Sequence, residues 1–86
     1  MKLKRGFVYE IRPGESLLIQ EPRSGTPGTM FLTEGAVFLV LSEPIIEYES
    51  YDRKTYHSYY VFQRDRVFRI QAREDLIRYT VGFHTP

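Results

Sequence analysis

Ala36-Val37-Phe38-Leu39-Val40-Leu41 is the longest unbroken apolar run in this 86-residue chain. Glu34-Gly35 precede it and Ser42-Glu43-Pro44 follow it. A run this short, rich in β-branched and aromatic residues and bounded by turn formers, reads as a central strand buried on both faces rather than as a helix. The segments around it read as shorter, alternating strands. The expected fold class is therefore all-β: a single small antiparallel barrel spanning residues 1–86.

Composition supports that class and removes several functions. Seven Tyr and six Phe stand against two alanines, Ala36 and Ala72, a balance that favours pleated, half-buried surfaces over helices. A chain of this length buries only roughly 60–65% of its unfolded surface, so the core is small. Without cysteine the fold has no disulfide and no thiolate metal site, and a reducing, cytoplasmic setting is expected. The basic start Met1-Lys2-Leu3-Lys4-Arg5 is not followed by a signal-peptide apolar segment, and no run is long enough to span a bilayer. The net charge of +1 divides as +3 over residues 1–12, −5 over 13–50 and +3 over 51–86. That total is far from the basic balance of a dedicated nucleic-acid binder.

Leu3, Phe7, Tyr9 and Ile11 fall on odd positions, the period of a strand with one wet face. Arg12-Pro13-Gly14-Glu15 has the chemistry of a type II turn, which predicts a tight hairpin into Ser16–Gln20. Residues 21–29, Glu-Pro-Arg-Ser-Gly-Thr-Pro-Gly-Thr, read as an exposed, mobile loop. Its Gly25-Thr26-Pro27-Gly28 matches the G-x-x-G of nucleic-acid clamps but lacks the flanking helices they use. Met30–Thr33 reads as a short strand leading into the central run.

Residues 45–51 and 55–62 read as two arms of a long projecting hairpin around Asp52-Arg53-Lys54. A three-residue loop sets Ile46 opposite Tyr60 and Glu49 opposite His57. Ile46, Tyr48, Tyr56, Tyr60 and Phe62 then share a core face, and Glu47, Glu49, Tyr51, His57 and Tyr59 share a wet one. Gln63-Arg64-Asp65-Arg66 makes the next turn. Phe68, Ile70 and Ala72 alternate through the strand after it, Arg73–Leu76 fits a single 3₁₀ turn, and residues 77–83 alternate as a last strand able to close against the first.

A 3₁₀-like turn before a closing strand, with about five strands ahead of it, resembles an SH3-like small barrel. The chain lacks the Ala-Leu-Tyr-Asp-Tyr run and paired-Trp groove of the proline-peptide-binding SH3 domains, so their binding residues have no counterpart here. An OB-like barrel is the alternative, favoured by a true helix near Arg73. The turn-rich style also resembles small barrels encoded by bacteriophages, which implies a modulator of a host protein.

Catalysis finds little footing. His57 with Ser58 or Ser50 supplies two members of a nucleophilic set, yet strand neighbours His57 and Ser58 point to opposite faces. Two histidines, His57 and His84, carry no metal-ligand spacing. No catalytic residue, metal or cofactor is expected. The expected function is a non-enzymatic module that binds another protein through Tyr51, Arg53, Lys54, His57 and Tyr59, since Tyr and Arg dominate interface energetics. The alternative is nucleic-acid binding through Arg64, Arg66, Arg69, Arg73 and Arg78, set among aromatics able to stack on bases.

Overall fold

A computed structural model describes residues 2–20, 30–49, 51 and 53–85. Among them the chain runs β1 (Val8–Ile11), β2 (Ser16–Gln20), β3 (Met30–Thr33), β4 (Val37–Val40), β5 (Ile45–Glu49), β6 (Thr55–Gln63), β7 (Arg66–Arg73), α1 (Ile77–Thr80) and β8 (Val81–Phe83). Every pairing is antiparallel, in one sheet of order β3-β2-β7-β6-β4-β1-β8, with β5 also against β6. The end strands β3 and β8 do not pair with each other, so the sheet does not close. Residues 21–29, with the G-x-x-G tetrapeptide, lie outside the described residues.

The sheet is built from a bent ribbon wrapped on a hairpin. Tyr9 pairs with Phe38 across β1 and β4, and Leu17 pairs with Leu32 across β2 and β3. These are two halves of one ribbon, interrupted where residues 12–15 face residues 34–36. The type II turn is present, with Glu15 N–H donating to the Arg12 carbonyl at 3.1 Å and Gly14 at φ +78°. It does not make the predicted hairpin, because β1 pairs with β4 and β8 while β2 pairs with β3 and β7. Opposite it, Gly35 at φ +82° turns the second strand, Ala36 N–H donating to the Thr33 carbonyl at 3.1 Å. The corner sends the two halves to opposite edges of the β6–β7 hairpin, β2 onto β7 and β4 onto β6.

That hairpin is the spine. β6 and β7 pair in continuous register from Tyr56 with Arg73 to Gln63 with Arg66. Arg64 and Asp65 both take positive φ, 49° and 64°, as a two-residue type I′ turn requires. Phe38, Val40, Val61, Phe68, Ile70 and Ala72 point inward with Tyr9, Ile11, Leu17 and Leu32 to form the core. The central run is thus an interior strand but is buried on one face only. Val37 and Leu39 are half-buried and Leu41 is exposed. Phe7, expected inside, is exposed as well, because positive-φ Gly6 turns the chain before β1 begins.

The predicted last strand is divided. Residues 77–80 form a single helical turn and only Val81–Phe83 pair with β1. Ile77 and Thr80 are both buried, a three-residue spacing that suits one helical face. The Thr80 hydroxyl donates to the Leu76 carbonyl at 3.2 Å, and Arg12 N–H donates to the Thr80 carbonyl at 2.9 Å. The alternation of Ile77, Tyr79, Val81 and Phe83 is satisfied only in its last part, where the final strand does meet the first.

Candidate functional site

The predicted arm surface is corrected by β7. Because β7 covers β6 along its length, the odd residues of β6 continue the inward face of the sheet. His57 is 3% exposed and Tyr59 1%, whereas Tyr60 and Phe62, assigned to the core, are 38% and 40% exposed. Ile46 is likewise exposed. The pairing is Ile46 with His57 and Tyr48 with Tyr56, with an irregularity between Ile46 and Tyr48. Glu49 pairs with Thr55 rather than with His57, and Ile46 with His57 rather than with Tyr60, so the expected register does not form and the unbroken pairing with β7 decides which way β6 points. The side chains of Glu47, Tyr48 and Glu49, and Ser50 and Asp52, lie outside the described residues.

Tyr59 is a structural anchor. Its hydroxyl accepts from Leu3 N–H at 3.1 Å, and the Tyr9 hydroxyl accepts from Lys4 N–H at 2.8 Å. Two core tyrosines thereby tie the N-terminal segment to the sheet. Burial pushes the Tyr59 phenol above its ordinary pKa, against the opposing hydrogen bond from Leu3. His57 sits edge-on to Tyr59, and its Nε2 is 4.0 Å from Glu74 Oε2.

Tyr51, Arg53 and Lys54 remain at the surface, Tyr51 fully exposed and Arg53 at φ +65°. The β5–β6 loop meets the β7–α1 turn in an open cleft of about 380 Å³ lined by Arg53, Lys54, Thr55, Glu74, Asp75 and Arg78. Glu74 N–H donates to the Thr55 carbonyl at 2.9 Å. Asp75 is the hub: it accepts from Arg73 at 2.6 and 3.0 Å and lies 3.5 Å from Lys54. The bidentate guanidinium holds its carboxyl down at about 2. The cleft is therefore a compensated charge cluster rather than a bare basic pocket.

The five arginines of the nucleic-acid reading do not converge. Arg64 and Arg66 occupy the β6–β7 turn, Arg69 lies mid-strand opposite Tyr60, and Arg73 and Arg78 flank the far end of β7. The eight-residue β7 separates its ends by about 23 Å. Arg73 is committed to Asp75, and Arg78 lies 4.8 Å from the Tyr79 ring centre.

The sequence reading missed the outer face. Val8 pairs with Leu39, Leu39 with Phe62, and Phe62 with Val67, so one outward row crosses four neighbouring strands. Val67 is 60% exposed, and Leu41 and Tyr60 extend the row into a band. The signal was present in the turn at Arg64-Asp65. A two-residue loop fixes Val61 opposite Phe68 and Tyr59 opposite Ile70, which puts Phe62 and Val67 together on the other face. Beyond Tyr60 the face turns polar: the Ser58 hydroxyl donates to Gln20 Oε1 at 3.2 Å, and Gln20 Nε2 donates to Gln71 Oε1 at 2.8 Å.

No protein family, curated protein or solved structure matches this chain. Among the described residues there is no group of three or more His, Asp or Glu side chains placed to hold a metal ion. No helix there is long and apolar enough to cross a membrane.

Proposed function

We propose that this protein is a non-enzymatic binding module that occupies another protein through the outer face of its sheet. The observation that supports this is the continuous band of Val8, Leu39, Phe62 and Val67, with Leu41 and Tyr60 beside it. Contiguous apolar surface on a small β domain is a liability unless a partner covers it. Tyr60 and Phe62 supply aromatic anchors of the kind that carry interface energy. Tyr51, Arg53 and Lys54 form a separate rim at the arm tip, available to the same partner. The arginines offer weaker support for nucleic acid, since they are spread over the sheet and Arg73 is paired.

For the architecture we propose an SH3-like arrangement. What supports it is the short helical turn directly before a final strand that pairs with the first. The test of function is affinity capture with the wild-type chain and with Phe62→Ser/Val67→Ser. One stoichiometric protein retained by the wild type and lost by the variant is the expected result. Equal retention by both, or recovery of nuclease-sensitive material alone, overturns the reading.

A further inference from the structure

Three aromatic rings cross the inner face of the sheet in one row. Phe38 pairs with Tyr9 and Tyr9 with Phe83, on β4, β1 and β8. Their ring centres lie 6.0 and 5.2 Å apart and their planes differ by 26° and 24°, so each ring stacks on the next. Phe38 and Tyr9 are buried, but among the described residues β8 pairs only with β1, and Phe83 is 59% exposed. The row therefore ends on a ring open to solvent on the side away from Tyr9. Phe7, 47% exposed, stands 5.8 Å from Phe83 at an angle of 57° and makes a corner with it.

Cations border this corner. Lys4 Nζ is 5.9 Å from the Phe7 ring centre. Phe7 also lines a cleft of about 630 Å³ together with residues 2–5, Glu43 and Pro44. Lys2, Lys4 and Arg5 are exposed, in a segment where residues 1–12 carry +3. The segment is held in place: Lys4 N–H donates to the Tyr9 hydroxyl at 2.8 Å, and Gly6 N–H to the Val40 carbonyl at 2.8 Å. Tyr9 thus fixes both parts, its ring carrying Phe83 and its hydroxyl the cationic segment. We propose that this corner binds a short single-stranded segment of nucleic acid, one base stacking on Phe83 as the next ring of the row and the phosphates meeting Lys2, Lys4 and Arg5. Stacking joined to a cationic track serves sequence-tolerant binding, because every base offers a flat π face. An acidic peptide would meet the cations but has no flat group for the end of the row. An anionic membrane fits less well, since Phe7 and Phe83 pack against each other rather than stand clear to enter lipid. The site uses none of Arg64, Arg66, Arg69, Arg73 and Arg78. It goes beyond the outer-face reading and lies on other residues, so either stands without the other.

The probe is a fluorescein-labelled oligothymidine of about eight nucleotides, a length that one small β domain covers, followed by anisotropy and by amide chemical shifts. It is compared with an abasic strand of the same length, a glutamate octapeptide, and vesicles of phosphatidylserine in phosphatidylcholine. We expect the oligothymidine to bind and to shift amides within residues 2–9 and 81–84. Log K should fall against log salt with a slope of about −2, the value for three phosphate contacts on a single strand. Phe83→Leu weakens binding about fivefold or more, and Lys2→Gln/Lys4→Gln/Arg5→Gln about tenfold or more. All four side chains are exposed, so neither variant disturbs the core. Phe62→Ser, on the outer face, leaves oligothymidine binding unchanged, so failure here is distinct from failure of the outer-face proposal. No binding of the oligothymidine overturns the inference. So does equal binding of the abasic strand, tighter binding of the peptide or the vesicles, full affinity in either variant, or shifts confined to other residues.

Discussion

Replacing Tyr59 by Phe removes one oxygen atom from the core and tests which face of β6 is buried. The ring stays, so no cavity forms; what is lost is the acceptor for Leu3 N–H, a donor in a residue 1% exposed. A typical hydrogen bond contributes about 1 kcal/mol net, while a buried donor left unpaired costs about 1–3 kcal/mol. The variant should therefore cost about 1–3 kcal/mol. Tyr59→Ala removes the ring as well and should cost about 3–5 kcal/mol. A chain of this length has roughly 4–13 kcal/mol in total, so that variant stands near the edge of folding. Tyr60→Ala, on the exposed side of the same strand, should cost under about 1 kcal/mol, since less of its ring leaves water on folding. Urea unfolding of the three variants, with m-values compared, gives the order directly. Hydrogen exchange adds the local signature: Tyr59→Phe should lower protection of the Leu3 amide first. A Tyr60→Ala loss equal to or above that of Tyr59→Ala refutes the face assignment, and an unchanged stability and Leu3 exchange in Tyr59→Phe refutes the anchoring role.

The β6–β7 turn places Arg64 and Asp65 at positive φ, so Arg64→Asn with Asp65→Gly should raise stability by about 1 kcal/mol, and a lower melting temperature in the double variant contradicts the type I′ reading. Asp75 titrates near 2, below the ordinary value of about 3.9. Its pairing with Arg73 therefore contributes fully above pH ~4 and is lost as the pH falls through about 2. Because Asp75 is exposed, the measurement is the carboxyl shift by NMR: Arg73→Gln should move the midpoint up, and a wild-type midpoint at the ordinary value contradicts the clamp. The raised Tyr59 pKa means stability is complete below pH ~10 and declines as the pH rises toward the folded value; Tyr59→Phe should remove that part of the alkaline dependence, and an identical alkaline profile in the two proteins counts against it. Phe38→Ala, at the centre of the apolar run, should cost about 3–5 kcal/mol by denaturant melt, and a loss under 1 kcal/mol would show that β4 is not the core strand.

Local chemistry in the sequence determined the class of the fold, most of its strands and several turns. The alternation of Phe68, Ile70 and Ala72, the Pro13-Gly14 corner and the apolar run at residues 36–41 each act within a few residues, where sterics and period-2 burial suffice. What the turns connect was decided elsewhere. Pro13-Gly14 is the same type II turn in a hairpin or at a ribbon corner, and only the partners on either side, β4 and β7, distinguish them. The helical turn at residues 77–80 likewise depends on Ile77 and Thr80 meeting the core together, which outweighed a strand-like alternation. The faces of β6 were the largest loss. A three-residue β5–β6 loop would set Glu49 opposite His57, but Glu49 pairs with Thr55 and a further irregularity falls between Ile46 and Tyr48. Tertiary pairing with β7, in register without a break, sent Tyr59 inward and Phe62 outward. Face parity passes along a strand without error but crosses to a neighbour only through a regular ladder. The outer band therefore became visible only when four strands stood side by side.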